Sequence, residues 1–145
     1  MTSFVNHRQI RIEWGQCDPA GIVFNVRFFE YFDLATWQLF EAALGVKMHE
    51  LAKTFGIIGI PLVDARAQFR KPAKFGDTIE IVSRISEFRR SSFDIEHKIF
   101  VGGELAVDGG ETRVWAGKHK SDPTRMAAQP IPPDVIGRFD RERSS

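Results

Sequence analysis

Residues 27–44 contain no glycine and no proline, and 12 of the 18 are apolar. Wound as a helix, Phe28, Phe29, Tyr31, Phe32, Leu34, Trp37, Leu39 and Phe40 occupy nearly the whole circumference. The charged residues Glu30, Asp33 and Glu41 share one narrow stripe. A helix apolar all round must be buried, and one flat sheet face is too small to bury it. The chain must therefore fold so that a strongly curved sheet, or a second subunit, surrounds this helix.

The remaining segments supply that sheet. Residues 7–14 alternate, with Ile10 and Ile12 on one face, and read as a strand. Residues 78–88 carry Ile79, Ile81 and Ile85 in phase. Residues 93–101 place Phe93, Ile95, His97, Ile99 and Val101 on one face. Gly102-Gly103 marks a turn, and residues 105–118 form a last strand with a bulge expected at Gly109-Gly110. Residues 57–72 are rich in β formers. Gly45 is expected to end the long helix, with a short helix over 46–54 closed by Gly56. Four prolines, at 123, 130, 132 and 133, mark residues 121–145 as a loose tail, with a helical turn over 134–141. The order of elements predicts one α+β domain over 1–145, its core at about 8–120, with one long helix and about five antiparallel strands.

Composition narrows the function. The 145 residues carry a net charge of +1, so no global field favours nucleic acid or a membrane surface. The single cysteine, Cys17, permits no internal disulfide, which suits a reducing compartment. No apolar run reaches signal-peptide or membrane-spanning length. The expectation is a soluble cytoplasmic protein. His7, His49 and His119 lack metal-ligand spacing, so no metal or other cofactor is expected. His97 lies in an apolar register and reads as a hydrogen-bonded interior residue.

Chemistry is concentrated before the helix. Asp-Pro-Ala-Gly at 18–21 fits a type I turn. A carboxylate there lies beside helix N-terminal amides that lack intrahelical acceptors and carry partial positive charge. Nucleophile or base and oxyanion donors would then sit side by side. A lone Cys17 with no histidine near in sequence reads as a small buried hydrophobe.

The run Asp18-Pro19-Ala20-Gly21-Ile22-Val23-Phe24 resembles the active-site loop of the 4-hydroxybenzoyl-CoA thioesterase family, which has the hot-dog fold. Phe32-Asp33, Gly59-Ile60-Pro61, Arg89-Arg90 and Ser92-Phe93 extend the resemblance over about residues 8–118. It implies hydrolysis of an aromatic acyl-CoA, 4-hydroxybenzoyl-CoA or a close analogue. Asp18 would be nucleophile or general base, and the Asn25 N–H would bind the oxyanion. It also implies an acyl pocket with Asp33, Met48 and Ile60, and coenzyme A phosphates held by Arg89, Arg90 and Ser91. Lys71 and Lys74, near another strand end, could add charge there, but nothing in the sequence distinguishes them from solubilising residues. Ser91 departs from the basic residue common there. Met48 and Ile60 are more apolar than the family's ring pocket, leaving Asp33 as the evident partner for a ring hydroxyl. The implied assembly is a dimer or tetramer. Two rivals stay open: a short-chain aliphatic acyl-CoA thioesterase, disfavoured by Asn25 in place of a histidine, and a non-catalytic acyl-CoA-binding module. A dehydratase would need a loop histidine, and there is none.

Overall fold

The computed structural model describes residues 2–140. Strand β1 (Asn6–Arg11) leads through a 3-10 turn (Trp14–Gln16) into helix α1 (Val26–Leu44), and a second 3-10 turn (Met48–Glu50) runs into the short helix α2 (Leu51–Phe55). Strands β2 (Leu62–Phe69), β3 (Thr78–Phe88), β4 (Ser92–Val101) and β5 (Glu104–Val114) follow, then β6 (Ala116–Lys118), β7 (Met126–Ala128) and helix α3 (Pro133–Arg138). The five long strands form one antiparallel sheet in the order β1-β3-β4-β5-β2. This is the expected hot-dog arrangement.

Strand periodicity and helix periodicity meet in the core. Along β4, Phe93, Ile95, His97, Ile99 and Val101 are all buried. Phe28, Tyr31, Phe32, Ala35, Leu39, Phe40, Ala43 and Leu44 of α1 are buried against the sheet. Gly45, at φ 70°, ends the helix in the left-handed conformation that glycine adopts without a Cβ clash. The wrapping is incomplete: Val26 and Leu34 stay exposed on the face of α1 away from the sheet.

Two expectations are corrected. Gly109 and Gly110 are not a bulge, because both pair in register with β2 and β4. They are glycines for space: a Cβ at Gly109 would overlap the Phe32 ring, and one at Gly110 would meet Arg66 Nη2 at 2.9 Å and Ile95 O at 3.1 Å. Nor are residues 121–140 a loose tail. β7 pairs with β6, and Ile131, Val135 and Phe139 are buried in the core beside Phe40 and Phe93. The prolines delimit a packed segment rather than a disordered one, with Pro133 at the first position of α3.

Candidate active site

The Asp18 loop is fixed by main chain at both ends. Cys17 and Val23 form an antiparallel bridge, and the Asp18 N–H donates to Ile22 O at 2.8 Å. Gly21 N–H donates to Asp18 O at 2.9 Å, closing the turn that Pro19 and Gly21 favour. Asp18 Oδ1 accepts from Ala20 N–H at 2.8 Å. The segment 73–75 holds the loop from outside: Val23 N–H donates to Ala73 O and Phe75 N–H to Gly21 O. The carboxylate is half-buried, so it is ordered yet reachable.

Asn25 stands at the N-terminal cap of α1 with its side chain exposed. Phe24 N–H is taken by Gln16 O at 3.0 Å, and Arg27 N–H by Phe24 O at 2.8 Å. Among the described residues the Asn25 N–H has no hydrogen-bond acceptor. Carboxylate and free amide therefore flank one short stretch of chain at the positive end of a 19-residue helix.

Beside this loop lies a cavity of about 730 Å³. Gln16 and Val26 bound it on either side of the loop. Phe29, Asp33 and Leu34 of α1, Leu62 and Ala65 of β2, and Arg8 of β1 complete its main walls. The cavity thus occupies the seam where the two sheet edges approach the uncovered face of α1. Its volume suits a ring-sized acyl group with room to spare.

Asp33 does line this cavity, but it is not a lone buried acid. Its carboxylate is 59% exposed and accepts from Arg113 Nη2 at 2.7 Å. Arg113 also pairs with Glu111 at 2.9 Å and donates to Ile60 O at 3.0 Å. Glu111 in turn lies 3.0 Å from His97 Nε2 and accepts from the Thr36 hydroxyl. His97 Nδ1 sits 2.7 Å from Ser83 Oγ, and its ring stacks on Phe32 at 4.8 Å. His97 is thus the interior hydrogen-bonded residue expected. Burial works to raise the Glu111 pKa, but hydrogen bonds and charge from His97 and Arg113 overcome it and hold the carboxyl at about 2. Burial likewise opposes the charge on Arg113, while Glu111 and Asp33 raise its pKa. This ionic spine ties α1 to β4 and β5. The sequence reading missed Glu111, Arg113 and Tyr31. Alternation puts Glu111 and Arg113 on one face of β5, but only a partner on another strand makes inward charges tolerable.

The remaining candidates are elsewhere. Ile60 is 2% exposed and packs in the core, so in this chain its side chain does not line the cavity. Met48 is half-buried just beyond the C-terminal end of α1, and its N–H donates to Glu41 Oε2 at 3.1 Å. The helix between Asn25 and Met48 is about 28 Å long at 1.5 Å per residue. Arg89, Arg90 and Ser91 form the β3–β4 turn, a strand of 11 residues from the Asp18 loop. That is roughly 35 Å at 3.2–3.4 Å per residue. Asp33 thus lines the cavity that Gln16 and Val26 border next to the Asp18–Asn25 loop, Ile60 meets the same Arg113 through its carbonyl but turns its side chain into the core, and Met48 and the arginines lie toward the far ends of α1 and β3.

The two arginines also differ. Asp94 takes both Arg89 Nη1 and Nη2, at 2.9 and 2.8 Å, and Glu87 and Ser92 take the rest. This pairing raises the Arg89 pKa and lowers that of Asp94. Arg90 is exposed and its guanidinium has no ion pair among the described residues. Among those residues no group of His, Cys, Asp and Glu could hold a metal ion, and no helix is long and apolar enough to cross a membrane.

Residues 12–139 match the thioesterase-like superfamily. The chain is 34% identical over 133 residues to 4-hydroxybenzoyl-CoA thioesterase of Pseudomonas sp. strain CBS-3, covering 88% of this chain and 92% of that enzyme. The solved structure of the Pseudomonas enzyme superposes with a TM-score of 0.82 at 30% identity, covering 92% and 98% of the two chains. A gentisyl-coenzyme A thioesterase structure gives 0.77 at 32% identity, covering 94% and 100%. The chain belongs to the thioesterase-like superfamily. Its activity is that of an acyl-CoA thioesterase, a thioester hydrolase.

Proposed function

We propose that this thioesterase hydrolyses an aromatic acyl-CoA, with 4-hydroxybenzoyl-CoA or a close benzoyl analogue as substrate and Asp18 as the catalytic carboxylate. The observation that carries the reading is the half-buried Asp18 and the acceptor-free Asn25 N–H in one loop whose flanking residues, Gln16 and Val26, line a ring-sized cavity. Asp18 attacks the thioester carbonyl or activates the water that does, and the Asn25 N–H takes the charge that develops on oxygen. The relatives named above act on hydroxylated aryl-CoA esters, and the solved structure of an aspartate-to-asparagine variant of a 4-hydroxybenzoyl-CoA thioesterase, similar to this chain, holds 4-hydroxybenzoyl-CoA. Phe29, Asp33 and Leu34 would border the ring.

An oligomer fits this reading. Edge strand β2 is exposed along almost its whole length, including Leu62, Val63 and Phe69. It adjoins the uncovered face of α1, so a second copy would cover apolar surface and unpaired strand groups together. We place the enzyme in the cytoplasm because its single cysteine, half-buried against the core, is free.

Steady-state kinetics test the assignment. Asp18→Asn should lower turnover at least about 100-fold with folding intact; near-normal turnover would remove Asp18 from the mechanism. Aryl-CoA esters should exceed hexanoyl-CoA in kcat/KM, because a ring loses fewer rotors on binding than an alkyl chain. A clear hexanoyl preference would move the enzyme to the aliphatic class. Substrate binding without release of free thiol would make it a binding module. Sedimentation showing an active monomer at micromolar concentration would contradict the assembly.

A further inference from the structure

Two residues that line the cavity each carry a buried donor with no partner. Arg8 faces inward from β1, in phase with Ile10 and the buried Ile12. Its Nη1 is buried and has no hydrogen-bond partner. Tyr31, on the inward face of α1, is 7% exposed, and its hydroxyl is buried without a partner as well. Both residues line the same cavity. Arginine at an inward strand position is costly unless its charge is met, and a buried hydroxyl without a partner costs about 1–3 kcal/mol. Two such residues against one cavity, with their donors left over, point to a ligand atom that completes them.

The chemistry of that atom follows from the surroundings. The acids lining the cavity are already met: Glu30 pairs with Arg27 at 2.7 Å, and Asp33 and Glu111 share Arg113 at 2.7 and 2.9 Å. Arg8 takes part in no ion pair among the described residues. Burial raises the Tyr31 pKa, so its hydroxyl remains a donor at neutral pH. Formal charges of the lining acids and of Arg8, Arg27 and Arg113 balance, which favours a neutral oxygen over a second carboxylate.

Resting on the aryl-CoA reading above, we infer that Arg8 and Tyr31 are the specificity-determining pair that donates hydrogen bonds to a ring oxygen of the acyl group. Asp33, neutralised by Arg113, frames the cavity instead of receiving the ring hydroxyl. The ring oxygen is therefore recognised as an acceptor. Recognition by Asp33 would require it to be a donor, and the two assignments separate on a methyl ether, which accepts but cannot donate.

The test is kcat/KM of the full-length enzyme for benzoyl-CoA, the 2-, 3- and 4-hydroxybenzoyl esters, the matching methoxy ester and hexanoyl-CoA. Wild type should favour one hydroxybenzoyl ester over benzoyl-CoA by about 10- to 100-fold, the scale of a charge-assisted hydrogen bond in a dry site. The methoxy ester should keep most of that advantage. Arg8→Met should lower the hydroxyl-to-benzoyl ratio about 10-fold or more, and Tyr31→Phe several-fold. The latter removes one atom and carries the test if Arg8→Met fails to fold. An unchanged ratio in both folded variants, or a methoxy ester no better than benzoyl-CoA, overturns the donor pair. An aryl preference over hexanoyl with no effect of ring oxygen sinks the pair alone; a hexanoyl preference sinks the aryl reading as well.

Discussion

Helix α1 is sealed by rings at its C-terminal half and opens onto a cavity at its N-terminal half. At the sealed end Phe40 lies 5.2 Å from Phe93 and 5.0 Å from Phe139, and Phe88 lies 5.5 Å from Phe139. Arg138 of the C-terminal segment donates to Leu44 O at 2.8 Å and so satisfies one of the orphan carbonyls at the end of α1. At the open end the Asn25 N–H, Arg8 Nη1 and the Tyr31 hydroxyl have no partner among the described residues, and Val26 and Leu34 are exposed. The contrast divides the labour of the domain. Packing at one end stabilises the fold, and the other end keeps unmet donors, which the proposed reaction would use.

The largest effect should come from breaking the sealed end. Phe139→Ala removes a fully buried ring that touches Phe4, Phe40 and Phe88, and should cost about 3–5 kcal/mol. The shift of the urea midpoint at constant m-value measures it. Below that midpoint kcat/KM should stay near the wild-type value, because the ring lies far from Asp18. A loss under about 0.5 kcal/mol, the range of an ordinary surface substitution, would show that residues 121–140 contribute nothing to the core.

The spine between the two ends gives a pH signature. The Glu111 carboxyl is held at about 2 in the fold, against an ordinary value of 4.5. A depressed carboxylate stabilises the fold fully above its unfolded pKa, and that contribution is lost as pH falls from there toward the folded value. The total is on the order of 3 kcal/mol at 1.36 kcal/mol per unit. Urea midpoints should drop between pH 5 and pH 3, and Glu111→Gln, less stable at neutral pH, should show a shallower decline. Equal slopes in the two proteins would place the acid sensitivity in other carboxylates.

Much of this was legible in the sequence, for reasons that also set the limit. The long helix, β3, β4 and the Gly45 stop declare themselves through periodicity and local backbone preference. The Asp18 turn does so through Pro19 and Gly21. Local rules fail where a residue answers to a distant partner. Gly109 looks like a bulge until Phe32 is placed over it. The prolines after 121 look like disorder until Phe139 is found among Phe40 and Phe93. Asp33 looks like a solitary pocket acid until Arg113, 80 residues later, is paired with it. Ile60 looks like a pocket wall in an ungapped match, whereas its side chain turns into the core. None of these pairings leaves a periodic trace in one chain.

The smallest effect, and the finest test of the division between ends, concerns the two arginines of the β3–β4 turn. Sequence treats Arg89 and Arg90 as equivalent phosphate ligands. Arg89 is committed to a fork with Asp94, and releasing it for a phosphate would first break two hydrogen bonds of 2.8–2.9 Å. Arg90 has no such competitor and is exposed. Arg90→Ala should therefore raise KM for a CoA ester about 10-fold, the loss of one charge-assisted contact, with kcat unchanged because the phosphates are remote from the bond broken. The increase should shrink with a thioester of a truncated thiol. Arg89→Ala should leave KM nearly unaltered and cost no more than about 1 kcal/mol of stability, as expected of an ion pair at the surface. If Arg89→Ala raises KM as much as Arg90→Ala does, the fork with Asp94 opens on binding and both guanidiniums meet phosphate. If neither changes KM, the phosphate site lies away from this turn, and Lys71 and Lys74, near the Asp18 end, become the cations to replace.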